Sequence, residues 1–369
     1  MPGQILGLAL PLLVTILFML ALRPFARSVG LIDRPGGRKM HIGDIPVIGG
    51  LAMFAGFLVG SLYSYQSFPD YPYLAAGLAV LVFVGVLDDR FDLPAPVRFI
   101  GQTCAALLMV GGANVVATNI GHVFFGGLVE LGWFSNLFTI TIVLTAINAF
   151  NMFDGSDGVA GVQALIGLVF MGIACIAAGQ WGAIPLIISM VGCLVGFLIF
   201  NWPSKRMTPV RAFMGDAGST MLGFLLAWLA IDLSQRAQPV FSPVVTLWIF
   251  ALPIYDLFSS MVRRMMNGLS PFHGDSDHLH HVLRRSGLNS RKVAQVVLMG
   301  AAITSGIGVG GYQSGISDGW LFVLWLTFGV VYHVVFGSGL VVGKRRTPQP
   351  DPGIVPSAYG SLGGRQRRR

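Results

Sequence analysis

The stretch Asn148-Ala149-Phe150-Asn151-Met152-Phe153-Asp154-Gly155-Ser156-Asp157-Gly158 lies between two long apolar runs. Two Asn and two Asp therefore sit where one hydrophobic segment ends and the next begins. In a helix, Asn148 and Asn151 share a face, three residues apart. The two Asp-Gly pairs read as a turn, because Gly adopts backbone shapes that other residues avoid. Beside a bilayer such a cluster is costly unless it binds something. Capping the helix expected from Val159 would need one such residue, not four.

The surrounding chain is a membrane protein by composition. Of 369 residues, 54% are hydrophobic and 11% charged, and the mean hydropathy is +0.72. A soluble domain carries roughly 25% charged residues. A membrane helix needs roughly 20 mostly apolar residues. Eleven segments meet that requirement, centred on 4–22, 47–66, 72–87, 98–117, 134–150, 158–178, 181–200, 217–233, 240–262, 293–312 and 319–341. The expected fold class is all-α: a polytopic integral membrane protein of about eleven transmembrane helices. The first run has no basic residue before it and Arg23 and Arg27 after it, the reverse of a secretory signal. Cys104, Cys175 and Cys193 lie in apolar runs without CxxC partners, so neither a disulfide framework nor a zinc knuckle is indicated.

The net charge of +8 could suggest nucleic acid, but the distribution of charge gives a different reason for it. With the N-terminus outside, 23 of the 24 Lys and Arg fall on the cytoplasmic side, and Arg236 alone falls outside. The basic balance is a topology signal, and no nucleic-acid partner is expected. Residues 1–342 then form a multi-span catalytic domain. Residues 343–369, rich in Pro and Gly and ending Arg-Gln-Arg-Arg-Arg, form a disordered basic cytoplasmic tail.

This topology puts every polar cluster on the cytoplasmic side. The clusters are Arg38-Lys39-Met40-His41 before Ile45-Pro46-Val47-Ile48-Gly49-Gly50; Asp88-Asp89-Arg90; the Asn148 stretch; Phe213-Met214-Gly215-Asp216-Ala217-Gly218-Ser219; and Asp275-Ser276-Asp277-His278-Leu279-His280-His281. Adjacent carboxylates such as Asp88 and Asp89 resist joint ionisation unless a cation is near. Small residues around Asp216 let a ligand approach the backbone, and a carboxylate there suits a hard cation bridging phosphates. The histidines near Asp275 and Asp277 could bind zinc. Many carboxylates and amides, no partnered Cys and abundant Arg instead favour Mg²⁺, with Mn²⁺ as a substitute, and a phosphorylated ligand. On a helix, His280 and Arg284 are four apart, as are His281 and Arg285, which makes an anion-binding surface. No Walker loop, GxGxxG turn or HExxH pair is present.

Taken in order, Lys-x-His before Pro-x-x-Gly-Gly, Asp-Asp-Arg, Asn-x-x-Asn-x-x-Asp-Gly-x-Asp-Gly, Phe-Met-Gly-Asp-x-Gly-Ser and His-x-His-His resemble the polyprenyl-phosphate N-acetylhexosamine-1-phosphate transferase family. The likeness is greatest to its bacterial members that use UDP-GlcNAc and undecaprenyl phosphate. It runs from Arg38 to the last span. The resemblance implies that a lipid phosphate attacks the β-phosphorus of a UDP-sugar, that UMP leaves, and that Mg²⁺ neutralises the diphosphate. It implies Asp216 as the main Mg²⁺ ligand with Asn151 assisting, and Asp88, with Asp89 beside it, as the group that deprotonates or orients the lipid phosphate. Asn148, Asp154 and Asp157 would serve the nucleotide-sugar side, and Phe213 would stack on uracil. Lys39, Arg264, His278, His280 and His281 would contact phosphates or sugar. The implied partners are polyprenyl phosphate, a UDP-N-acetylhexosamine and the bacterial inner membrane, with a homodimer as an option.

A transporter or channel is the competing expectation, with Asp256 of the ninth span lining a path. A transporter should carry polar residues on both faces and near several span centres. Here they gather on one face, which favours the enzyme.

Overall fold

The computed structural model describes residues 2–34, 43–62, 70–203, 211–270 and 278–337. Lys39, Asp275, Asp277 and the expected tail lie outside them. The order is α1 (Pro2–Val29), a ribbon of β1 (Ile32–Asp33) and β2 (Ile45–Pro46), α2 (Gly49–Ser61), α3 (Tyr71–Phe91) and α4 (Ala95–Leu107). Next come α5 (Ser135–Phe153), α6 (Val159–Ala177), α7 (Ile184–Asn201), α8 (Gly215–Ser234), α9 (Pro243–Ile249) and α10 (Ala251–Met266). The short α11 (Leu279–Arg285), then α12 (Ser290–Gln313) and α13 (Asp318–Tyr332), complete it.

Among the described residues, nine helices are long and apolar enough to cross a bilayer. The other two expected spans differ from simple rods. The second is described only as the 13-residue α2. The ninth is two helices, α9 and α10, that meet at 76°. Pro253 explains the bend. It has no N–H to give the carbonyl of Ile249 four residues back, and the side chain of Gln163 on α6 donates to that carbonyl instead, at 2.9 Å.

Helix α8 is the central post. Protein buries 94% of its apolar window, against 17% for the first and last spans. Its neighbours approach through glycine. A Cβ on Gly85 of α3 would strike the backbone of Ala217, and one on Gly50 of α2 would strike Gly218. Gly223 of α8 does the same for α5 at Ile147. Small residues thus bring helix backbones together where lipid offers no hydrophobic drive to do so.

The ribbon then fixes the segment that opens α8. Phe213 N–H donates to Pro46 O at 2.9 Å, and Gly49 and Gly50 N–H donate to Phe213 O and Met214 O, each at 2.9 Å. The C-terminal ends of α3, α5 and α7 and the first turn of α8 consequently meet at one end of the bundle, with α11 beside them.

Candidate active site

At that end the connections enclose a cleft of about 870 Å³. Its floor is the first turn of α8. Gly215 holds φ +73°, and a side chain there would strike the Asp89 carboxylate and Val47, so only glycine suits the position. Asp216 does not cap its own helix. The cap arrives from α3: Asp89 Oδ1 accepts the Asp216 N–H at 2.8 Å, and Oδ2 accepts the Ala217 N–H at 3.3 Å. Asp89 thereby satisfies two of the amides that a helix start leaves open.

Asp88 lines the same cleft with partners of its own. Its Oδ1 accepts the Leu93 N–H at 2.8 Å, and its Oδ2 pairs with Arg98 at 3.1 Å. The Asp88 side chain is 2% exposed and that of Arg98 40%, so the guanidinium is the accessible member of the pair. Asn151, at the end of α5, donates Nδ2 to Asp216 Oδ1 at 2.6 Å and to Ser219 Oγ at 3.1 Å. The adjoining turn is held by Asn201 of α7. Its Oδ1 accepts the Gly158 N–H at 2.7 Å, and its Nδ2 donates to Ala212 O at 2.9 Å. Gly158, in the left-handed region, opens α6 without a side-chain cap. The Asp residues of the turn are therefore not spent on capping. Asp157 pairs with Arg211, whose guanidinium lies 5.5 Å from the Phe213 ring centroid.

From the opposite wall, α11 supplies His280, His281 and Arg284. The His280 ring sits against Gly155, where a Cβ would clash with it. Both its nitrogens are buried without a hydrogen-bond partner among the described residues. Burial first, and then electrostatic repulsion from neighbours that include Arg284, push its pKa down to about 2, so the ring is neutral. Asp154 is raised well above the ordinary carboxylate range, by burial and then by the charges of Asp216 and Asp89. Arg211 is lowered by desolvation and then by Arg284.

The cleft brings together nine of the residues singled out in the sequence: Asp88, Asp89, Asn151, Asp154, Asp157, Phe213, Asp216, His280 and His281. It does not bring in Asn148, whose Nδ2 donates to Gln102 Oε1 at 2.7 Å and to Leu144 O. Arg264 is buried on α10 away from the lining. His278 turns instead to Asp256, with Nδ1 2.8 Å from Oδ2. Asp256 is likewise outside the cleft. Arg284, paired with His280 by spacing in the sequence, also lines the cleft, whereas Arg98, Asn201 and Arg211 carry no motif that singles them out. For Asn201 the signal was a polar residue ending an apolar run, the same one that marks Asn151.

Among the described residues, no three His, Cys, Asp or Glu side chains form a ready-made metal cage. Mg²⁺ does not require one, since it keeps waters and binds through one or two carboxylates plus substrate phosphates. The all-oxygen group Asp216, Asp154 and Asn151 fits that habit, and crowded carboxylates raise Asp154 in the way a bound cation would relieve. As placed, Asn151 offers Nδ2 to Asp216. Ligation needs its carbonyl there, half a turn of the amide.

Comparison with known proteins identifies relatives of the chain. A family model described as glycosyl transferase family 4 matches residues 71–234. The chain is 34% identical to the undecaprenyl-phosphate alpha-N-acetylglucosaminyl 1-phosphate transferase of Yersinia pestis, over 84% of this chain and 85% of that protein. It is 36% identical to the protein of the same name in Salmonella typhi, over 85% of each. The figure is 35% for that of Escherichia coli O157:H7, over 87% of each.

Proposed function

The chain belongs to the polyprenyl-phosphate N-acetylhexosamine-1-phosphate transferases of glycosyl transferase family 4, and we propose that it moves GlcNAc-1-phosphate from UDP-GlcNAc to undecaprenyl phosphate. A phosphate oxygen of the lipid forms a bond to the β-phosphorus, the bond from that phosphorus to the bridging oxygen breaks, and UMP leaves. The product is a sugar-diphosphate-lipid, the starting unit of a cell-envelope glycan.

One observation carries this reading. Asp89 and Asn151, from two different helices, both hydrogen-bond to Asp216 of a third at a single end of the bundle. A lipid phosphate and a water-soluble nucleotide can meet only at such a boundary. Arg98, held on Asp88, offers its exposed edge to the lipid phosphate, because a guanidinium matches phosphate geometry. Asp88 orients Arg98 and accepts a proton from the incoming phosphate. Asp154 and Asp157, with Phe213 as a stacking face, hold the nucleotide. Neutral His280, with His281 and Arg284, meets the diphosphate or sugar. Mg²⁺ held by Asp216, with Asn151 and Asp154, would neutralise charge on the diphosphate. By the distribution of Lys and Arg, the cleft faces the cytoplasm of a bacterial inner membrane, with the N-terminus outside.

The test is purified protein given a short polyprenyl phosphate and competing UDP-sugars, with mass analysis of the lipid product. GlcNAc-diphosphate-lipid with stoichiometric UMP is expected. No UMP from any UDP-sugar refutes the proposal.

A further inference from the structure

We propose that Asp256 is a positioning residue whose buried carboxylate fixes the start of α11, and so sets where His280, His281 and Arg284 meet the sugar nucleotide. This rests on the transferase reading of the cleft.

A carboxylate within a membrane span is costly unless its oxygens are satisfied. Asp256 is 4% exposed, and three donors converge on it. Oδ1 accepts the Leu279 N–H at 2.8 Å and the Tyr332 O–H at 3.0 Å, and Oδ2 lies 2.8 Å from His278 Nδ1. Ser260 Oγ also reaches His278 Nδ1, at 3.3 Å. Two of the three donors are consecutive residues where α11 begins. His278 makes no side-chain cap for that helix, so the first helical N–H is taken up by α10 instead. Tyr332 ties the same carboxylate to α13.

Helix α11 has seven residues. Two turns do not hold themselves in place. Leu279 and Leu283 pack into the core beside Val293 and Val297 of α12, but apolar contacts tolerate a slide that hydrogen bonds do not. His280 follows Leu279 by one residue, and its ring rests on Gly155 in the turn that carries Asp154 and Asp157. A shift at Leu279 therefore moves the histidine wall against the acidic turn. Asp256 lines no part of the cleft, and its oxygens are taken up by donors, so its effect passes through α11.

The experiment uses the full chain in lipid nanodiscs and compares Asp256→Ala, Asp256→Asn and Tyr332→Phe. UMP release gives KM for UDP-GlcNAc and for polyprenyl phosphate, and hydrogen–deuterium exchange reports on Leu279–Arg285. Asp256→Ala is expected to raise KM for UDP-GlcNAc about tenfold while KM for the lipid stays within about twofold, with faster exchange across α11. Asp256→Asn keeps Oδ1 for Leu279 and Tyr332 and turns its amide toward His278 Nδ1, which accepts in the tautomer that carries its proton on Nε2, so it should return KM to within about threefold of wild type. Tyr332→Phe removes one donor and should shift KM and exchange in the same direction by less, which keeps the proposal testable if the alanine variant does not fold. Equal damage in Asn and Ala, equal rises in both KM values, or unchanged α11 exchange in Asp256→Ala or Tyr332→Phe would each overturn it. A wild-type protein that releases no UMP refutes the transferase reading alone, and α11 exchange still decides the role of Asp256.

Discussion

Replacing Asp216 with Asn keeps an acceptor for Asn151 and removes one charge from the crowded acids. UMP release is expected to fall about 1000-fold, the scale of losing a preorganised electrostatic contact, while thermal stability stays near wild type. Retention of more than a tenth of the activity counts against Asp216 as the principal cation ligand. Asp154 gives a pH test. Its pKa is raised in the folded protein, so the native state keeps a proton that the unfolded chain releases. Its contribution to stability is present at low pH and is lost as pH rises from the ordinary carboxylate range through the raised value. A cation bound there would take the place of the proton. Mg²⁺ should therefore raise the melting temperature more at pH 8 than at pH 6, and equal gains contradict the placement. Arg98→Ala should raise KM for polyprenyl phosphate about tenfold with little change for UDP-GlcNAc, and the reverse pattern would move Arg98 to the nucleotide side. The motif acids were legible because polar residues at the ends of apolar runs need a reason to be there. That Asp89 caps α8, and that Arg98 rather than solvent faces Asp88, was not legible. Both depend on how close α3 comes to α8 and how α4 turns back, which no local pattern records.

The helices themselves were legible, since a run of about 20 apolar residues has few other uses. The bend between α9 and α10 was less so. Pro253 was visible, but whether a proline kinks or ends a helix depends on who takes the freed carbonyl, and Gln163 lies on another helix. Gly56 with Gly60 and Gly192 with Gly196 are small residues at a spacing of four, and both pairs face α1 in the fold. Gly85 carries the sharper test at this scale. Gly85→Val pushes α3 from Ala217, overpacking the joint by about 1–3 kcal/mol. The melting temperature should drop modestly and activity much further, because Asp89 no longer reaches the amides of α8. Activity that falls only in step with stability would show that the Asp89 cap is dispensable.

For the whole molecule, helix ends alternate so that α8 and α12 begin at the cleft and finish at the far side. The orientation we propose rests on the basic residues, of which 23 of 24 share one expected side. Exposed Ser286 ends α11 just ahead of α12, and exposed Ser314 ends α12. Cysteine at 286 should be shielded from an impermeant maleimide in intact spheroplasts and cysteine at 314 labelled, whereas the opposite pattern inverts the topology. The chemistry is tested most directly by purified protein with UDP-GlcNAc and Mg²⁺, with and without a short polyprenyl phosphate, for wild type and Asp216→Asn. UMP and GlcNAc-diphosphate-lipid should form together, only when the lipid is present, and almost wholly in wild type. UMP formed without the lipid, or at equal rates in both proteins, would contradict a single cleft in which the two phosphates meet over Asp216.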